Sequence, residues 1–263
     1  MPELPEVETI VRGLSDLVGA QIHHVRVFDP RLALRTNGVQ GSKIEAVKRI
    51  GKYIVFRLST DRMLIFHLRM SGRLARLCSQ VEQKHVRLAL ETDRGAVLFV
   101  NPRRLGTAEV SCDGFPHRLG VDPLDEAFTA TYLMDVTAFS QAPIKALLMD
   151  QTKIAGIGNI YAQEVLWHAG IDPRRTGKSL TNDDVAAVFG SVKAVLSQAI
   201  TKMGSSLGDS VSNYRGTAGE QGSFQNHFTV YGREGKPCPR CGETILRIKQ
   251  AGRSTCLCPQ CQK

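Results

Sequence analysis

The chain has 263 residues (28.9 kDa), 42% of them hydrophobic, which suits one large domain or two modest ones with real apolar cores. No apolar run approaches the roughly 20 residues of a membrane span, and the acidic, proline-containing start lacks the basic and apolar regions of a signal peptide, so a cytoplasmic protein is expected. The formal charge of +9 is uneven: Asn226–Lys263 carries seven Lys/Arg against Glu234 and Glu243, or +5, which points to a polyanion such as nucleic acid; a solvated basic face is the plain alternative.

The chain opens Met1-Pro2-Glu3-Leu4-Pro5-Glu6-Val7-Glu8. Removing Met1 would leave a proline secondary amine beside a carboxylate. Such an amine attacks a carbonyl carbon and forms an iminium, and an α-amino group titrates near pH 7.7–8.0 in peptides. The same residues also read as an ordinary helix start, with Pro2 in the first turn and Glu3, Glu6 and Glu8 at the positive end of the dipole. Leu4, Val7, Val11, Leu14 and Val18 recur at three- and four-residue steps, and Gly19 supplies the stop.

Short β-rich segments follow at 22–29, 43–50, 52–59, 63–68, 86–91 and 96–100, separated by Gly, Pro, Asn and Asp. Strands at this spacing without intervening helices predict an antiparallel sandwich. From about Phe128 the pattern turns helical. Helices are predicted at 143–151 and Asn159–Ala169, joined by a turn-rich stretch, then a longer one from a Thr181 cap with Val185, Val188, Val192, Val195, Leu196 and Ile200 on one face. The segment 204–226, rich in Gly, Ser, Asn and Gln, reads as a mobile loop.

Cys238-Pro-Arg-Cys241 and Cys258-Pro-Gln-Cys261 are two C-x-x-C knuckles separated by sixteen residues. Four thiolates at this spacing suit one tetrahedral Zn²⁺, and a closed Cys₄ set leaves no open position for catalysis. Two disulfides would need an oxidising compartment. Between the knuckles, 245–249, a Gln250-Ala251-Gly252 turn and 253–257 read as a basic hairpin with Arg253 near its tip. Cys256 is not expected to be a ligand, and Cys78 and Cys112 read as buried thiols.

Pro2 to Glu8, Lys153 followed by Ala155-Gly156-Ile157-Gly158-Asn159-Ile160-Tyr161, and the Cys₄ hairpin together resemble the formamidopyrimidine-DNA glycosylase family. Gly51-Lys52-Tyr53, His67-Leu68-Arg69-Met70-Ser71-Gly72 and Pro102-Arg103-Arg104 fall in family order between them, so the likeness covers essentially the whole chain.

The resemblance implies an α+β multidomain protein: an N-terminal antiparallel β-sandwich with an N-terminal helix (1–126), a helix–two-turn–helix domain with a lesion loop (127–226) and a β-hairpin zinc finger (227–263). Duplex DNA would lie in the cleft between domains. It also implies a monomeric DNA glycosylase and AP lyase of base excision repair, working beside the chromosome of a bacterium-like cell. Such an enzyme excises oxidised purines through a Pro2 Schiff base and cleaves the backbone by β,δ-elimination.

By the same resemblance Pro2, Glu3, Lys52 and Arg253 are catalytic, with Glu3 the general acid. His67, Asn159 and Arg253 grip phosphate, Lys153 handles oxidised guanine, and Met70, Arg103 and Leu105 fill the gap left by an everted base. Leu105 departs from the family's usual phenylalanine. Two rival readings are a non-enzymatic zinc-finger DNA-binding protein and an endonuclease VIII-like glycosylase for oxidised pyrimidines.

Overall fold

The computed structural model describes residues 1–32, 38–76, 81–207 and 215–263. They form two compact units, one of Met1–His117 with Ile200–Gln225 and one of Arg118–Ala199 with Asn226–Lys263. No helix among the described residues is long and apolar enough to cross a membrane.

In the first unit, helix α1 (Leu4–Arg12) starts from Glu3 in a capping box, with the Glu6 carboxylate accepting the Glu3 N–H at 2.7 Å. Pro5 takes the first-turn place that suits proline, while Pro2 stands before the cap and outside the helix. The apolar stripe predicts a helix running on to Gly19, but α1 ends at Gly13. A Cβ there would lie 2.5 Å from the Thr217 hydroxyl, which donates to the Gly13 carbonyl at 3.2 Å. Leu14 and Leu17 stay buried through a 3₁₀ turn, Ser15–Leu17, and Val18 faces solvent.

Two antiparallel four-stranded sheets follow. One is built from β2 (Ile44–Ile50), β3 (Tyr53–Leu58), β4 (Met63–His67) and β8 (Thr107–Ser111), in that order. The other orders β1 (Ile22–Val27), β6 (Val86–Thr92), β7 (Gly95–Val100) and β5 (Arg73–Arg76). Strands β5 and β8 escape the sequence pattern because they are short and mix charged residues (Arg73, Arg76, Glu109) with few apolar ones. Ile54, Phe56 and Phe66 of one sheet share a core with Leu88, Leu90 and Phe99 of the other, and Val7 and Ile10 of α1 join it. Phe66 meets Phe56 and Phe99 edge-on at 5.8 and 5.4 Å, the geometry that ring quadrupoles favour.

The second unit is helical, with α2 (Ala130–Thr137), α3 (Ile144–Met149), α4 (Asn159–Ala169) and α5 (Asn182–Thr201) up to Ala199. The expected cap at Thr181 is reciprocal. Its hydroxyl accepts the Asp184 N–H at 3.2 Å, and Asp184 accepts the Thr181 N–H at 2.9 Å. The valine face and Leu196 are buried as the spacing predicts. Strands β9 (Leu246–Gln250) and β10 (Arg253–Leu257) form the C-terminal hairpin. Its two-residue turn, Ala251-Gly252, has positive φ at both positions (48° and 74°), which matches the twist of the flanking strands.

Candidate active site and metal centre

Pro2 and Glu3 are buried, Glu3 to 3% exposure. The residue that fixes them is Glu6, which the sequence offers only as a first-turn acid. One carboxylate oxygen of Glu6 takes the Glu3 N–H and the other the Ser205 N–H, both at 2.7 Å. Gly204 is required beside it: φ is +72°, and a Cβ would lie 2.6 Å from the Glu6 carboxylate. The N-terminus is thus pinned to a segment 199 residues away.

Lys52 does not open a strand, as the 52–59 prediction has it. It occupies the β2–β3 turn with Gly51 (φ +58°), and pairing begins at Ile50 and Tyr53. The buried Arg49 guanidinium binds Glu8 of α1 at 2.9 Å and the Gly51 carbonyl at 3.3 Å, tying the helix to this turn. Lys52 is buried to 6% exposure.

His67 lies across the sheet from Tyr53, ring to ring at 4.6 Å. Burial first, and then the charges of Arg69, Lys52 and His117, hold its pKa down at about 4. The imidazole is therefore neutral at pH 7. Its Nδ1 accepts the Arg69 N–H at 3.1 Å, which leaves the proton on Nε2 as a donor for an external acceptor.

Met70, Arg103 and Leu105 stand exposed on the loops that follow β4 and β7. The loops touch where the Arg103 N–H reaches the Ser71 hydroxyl at 3.4 Å. Each carries a non-glycine residue in the left-handed region, Arg69 at φ +52° and Arg104 at +55°, at a cost of roughly 1–2 kcal/mol apiece. Such strain persists only where the surroundings fix it. Here Asn101, 1% exposed, donates to the Gly106 carbonyl at 3.0 Å, and buried Asp29 faces Arg104 at 3.6 Å and Arg87 at 3.8 Å. Three large side chains thus stand exposed on two loops that touch each other.

In the second unit, Lys153, Asn159 and Arg253 fall on three different supports. Lys153 lies in the two-turn connection, its carbonyl accepting the Tyr132 hydroxyl at 2.6 Å and the Val121 N–H at 3.1 Å. Gln151 braces that connection through the Met149 and Ile157 carbonyls and the Gly156 N–H. Asn159 is the first residue of α4, and Arg253 opens β10 on the exposed side of the hairpin turn.

The four cysteine sulfurs lie within 4.8 Å of one another, with Cys238–Cys261 at 3.9 Å and Cys241–Cys258 at 3.5 Å. A tetrahedron with Zn–S bonds of about 2.3 Å has edges of about 3.8 Å, so the set fits one structural Zn²⁺. These separations also exceed the ~2.05 Å of a disulfide, against the paired-disulfide alternative. The Trp167 indole N–H donates to Cys238 at 3.4 Å, and the Arg240 guanidinium lies 4.2 Å over the indole. Glu164, fully buried in α4, collects the N–H groups of Thr229, Val230 and Tyr231 and the Thr229 hydroxyl, fastening the segment that leads into the zinc module.

Cys256 is buried in the zinc-side core and outside the ligand set, as expected. Cys112 corrects its expectation: it is exposed, where the Arg62 guanidinium reaches its sulfur at 2.9 Å. Cys78 lies outside the described residues, as does 208–214 within the expected loop. The described ends of that loop are anchored, Ser223 to Lys202 at 2.9 Å and Phe224 to Gly204 at 3.0 Å.

Residues 1–108 match the Formamidopyrimidine-DNA glycosylase N-terminal domain, 119–210 the Formamidopyrimidine-DNA glycosylase H2TH domain, and 235–263 the zinc finger found in FPG and IleRS. A Formamidopyrimidine-DNA glycosylase of Chloroflexus aggregans is 43% identical over 278 residues, covering 100% of this chain and 98% of the relative. The solved MutM (Fpg) protein of Thermus thermophilus is similar with a TM-score of 0.90 at 39% identity, over 99% of this chain and 98% of that one. A Lactococcus lactis Fpg mutant in complex with a Fapy-dG containing DNA is similar with a TM-score of 0.89 at 35% identity, over 100% of both chains.

Proposed function

This chain belongs to the formamidopyrimidine-DNA glycosylase family, and from that membership we propose that it excises oxidised purines from duplex DNA and cleaves the resulting abasic site. It is a DNA glycosylase with one structural zinc; the lesion class, the lyase step and the residue roles are the content of the proposal.

The observation that carries it is the placement of Pro2: outside helix α1, buried, and next to the N-cap carboxylate of Glu3. Once Met1 is removed, the proline lone pair attacks C1′, the glycosidic C–N bond breaks with its electron pair leaving on the base, and the N–H proton the proline gives up balances the one the departing base takes up. Glu3, as general acid, protonates the deoxyribose ring oxygen as the sugar opens to the iminium. Loss of a C2′ proton then expels the 3′ phosphate, and a second elimination expels the 5′ phosphate. Lys52 and the Nε2–H of neutral His67 hold phosphate beside the lesion. Asn159 and Arg253 grip the backbone, Lys153 meets the damaged base, and Met70, Arg103 and Leu105 fill its place in the stack.

The reading assigns catalysis to 1–126, DNA binding to 127–226 and the zinc finger to 227–263. It describes a monomer working in the cytoplasm on DNA with oxidised bases or abasic sites. Borohydride trapping on a duplex with one 8-oxoguanine tests it. Mass spectrometry is expected to find Met1 absent and the adduct on the N-terminal peptide. An adduct on an internal lysine, with Pro2→Gly fully active, would refute the Pro2 assignment; no adduct and no excision would favour a binding protein.

A further inference from the structure

Lys145, the second residue of α3, is 2% exposed, which makes it one of the most deeply buried cations in the described chain. Burying an ammonium costs several kcal/mol unless directional bonds repay it. Its ammonium donates to Asn159 Oδ1 at 2.7 Å, Thr255 Oγ1 at 2.6 Å and the Ser254 carbonyl at 3.4 Å. They come from the start of α4 and from β10, so one side chain of α3 binds both.

The Ser254 carbonyl is also the target of the Asn159 Nδ2 at 3.3 Å and the Gln163 Nε2 at 3.2 Å, while Gln163 Oε1 accepts the Cys256 N–H at 2.6 Å. The Ser254 carbonyl, one residue past Arg253, is thus the point on which two helices converge.

The orientation of the Asn159 amide follows from this. An ammonium has only donors, so the atom facing Lys145 is Oδ1, and Nδ2 lies on the other side. One Nδ2 hydrogen goes to Ser254; the second remains for an external acceptor. Without Lys145 only the longer 3.3 Å bond to Ser254 still orients the amide, and in its flipped form the amide would present a carbonyl oxygen to the same acceptor. For an anionic phosphate that is repulsion in place of a hydrogen bond.

We propose that Lys145 is a positioning residue of the DNA grip: its buried ammonium fixes the Asn159 amide and the Ser254 peptide together, so that Asn159 and Arg253 offer their donors to backbone phosphates as one unit. The inference rests on the reading of Asn159 and Arg253 as phosphate contacts. Lys145 itself is too buried to touch DNA.

The test is binding of fluorescent duplexes by the full-length zinc protein, one with a tetrahydrofuran abasic analogue and one undamaged, over about 50–200 mM salt. Lys145→Met keeps the stem and removes the donors. It is expected to weaken both duplexes about tenfold and to lower the salt-dependence slope by about 1, because Arg253 loses its fixed seat. Lys145→Arg keeps the charge but changes the geometry, and is expected to stay impaired. In a double-mutant cycle, Lys145→Met on the Asn159→Ala background is expected to cost clearly less than on the wild type.

Thr255→Val, which deletes one of these acceptors, is expected to weaken binding in the same way but less, with zinc content retained. Full recovery in Lys145→Arg would make the effect one of net charge and overturn the inference. So would fully multiplicative single effects, or loss of zinc in Lys145→Met with Thr255→Val binding normally. If Asn159→Ala itself binds normally, the phosphate reading of Asn159 fails; if Asn159→Ala is weak and Lys145→Met is normal, only the role of Lys145 does.

Discussion

Around the N-terminus the candidate groups are buried, with Glu3, Lys52 and His67 at 3%, 6% and 7% exposure, whereas Arg253 is exposed and Asn159 half-exposed on a frame of buried polar side chains. The two arrangements suit different work. Covalent chemistry gains from a low dielectric, where proton affinities can be moved and electrostatic terms are large. A phosphate grip gains from accessible donors that displace counterions, and it needs only that those donors be held still. In the first region burial acts on the proposed reactive groups themselves. In the second it acts on the supports, Lys145, Gln163 and Glu164, and leaves the proposed phosphate donors accessible to solvent.

The largest effect expected is on the buried side. Glu3→Gln removes the acid while keeping the shape, and single-turnover excision should fall about 10²–10⁴-fold with lesion binding little changed. An equal loss of binding would make Glu3 a structural cap and blur the contrast. On the framed side, Cys258→Ser should lose about one zinc and most DNA affinity, while the first unit keeps its thermal transition. Trp167, the only tryptophan, donates to Cys238, so its fluorescence should report the same loss. Normal binding by the zinc-free protein would remove the hairpin from the interface.

Arg253→Ala should cost about tenfold, alike for lesion and undamaged duplexes, with the salt slope reduced by about 1. A loss confined to one damaged base would turn Arg253 into a base reader. His67 sharpens the other side of the contrast. Its pKa is about 4 in the fold and about 6.5 when unfolded, so between those values the unfolded state binds more protons. Stability from this group is therefore complete above about pH 6.5 and is lost as pH falls toward 4, with a slope of at most about 1.4 kcal/mol per pH unit. His67→Gln should flatten that part of a melting-temperature profile; an unchanged profile would mean that the ring is not desolvated.

Much of this was legible wherever residue identity carries the chemistry. The knuckle spacing of Cys238 to Cys261 fixes its own geometry, Thr181 and Asp184 cap one helix locally, and alternation marks the strands that face the core. The supports were not legible, because each depends on a partner distant in sequence. Arg49 meets Glu8 across 41 residues, Ser254 meets Lys145 across 109, and Ser205 meets Glu6 across 199. Glu6 in particular reads as an ordinary first-turn acid until the fold brings Ser205 to it. The early end of α1 has the same cause: nothing near Gly13 announces Thr217.

The smallest effect expected is at Leu105, where the chain departs from the family's usual phenylalanine. Everting a base costs a few kcal/mol of stacking and pairing, and a wedge recovers part of that by occupying the gap. Leucine offers less surface and no π-face, and base–aromatic stacking is worth about 1–3 kcal/mol in single-strand binders. Leu105 is 53% exposed, so a larger ring has room at its tip. The backbone beside it is closely packed, since a Cβ at Gly106 would meet Phe99 at 2.9 Å and the His67 carbonyl at 3.0 Å. A phenylalanine at 105 therefore has its room on the solvent side, where the leucine is now exposed. Leu105→Phe should speed single-turnover excision of a paired lesion a few-fold and leave cleavage of a preformed abasic site, which needs less eversion work, nearly unchanged. Equal slowing of both reactions would indicate steric misfit, and the wedge argument for this position would fail.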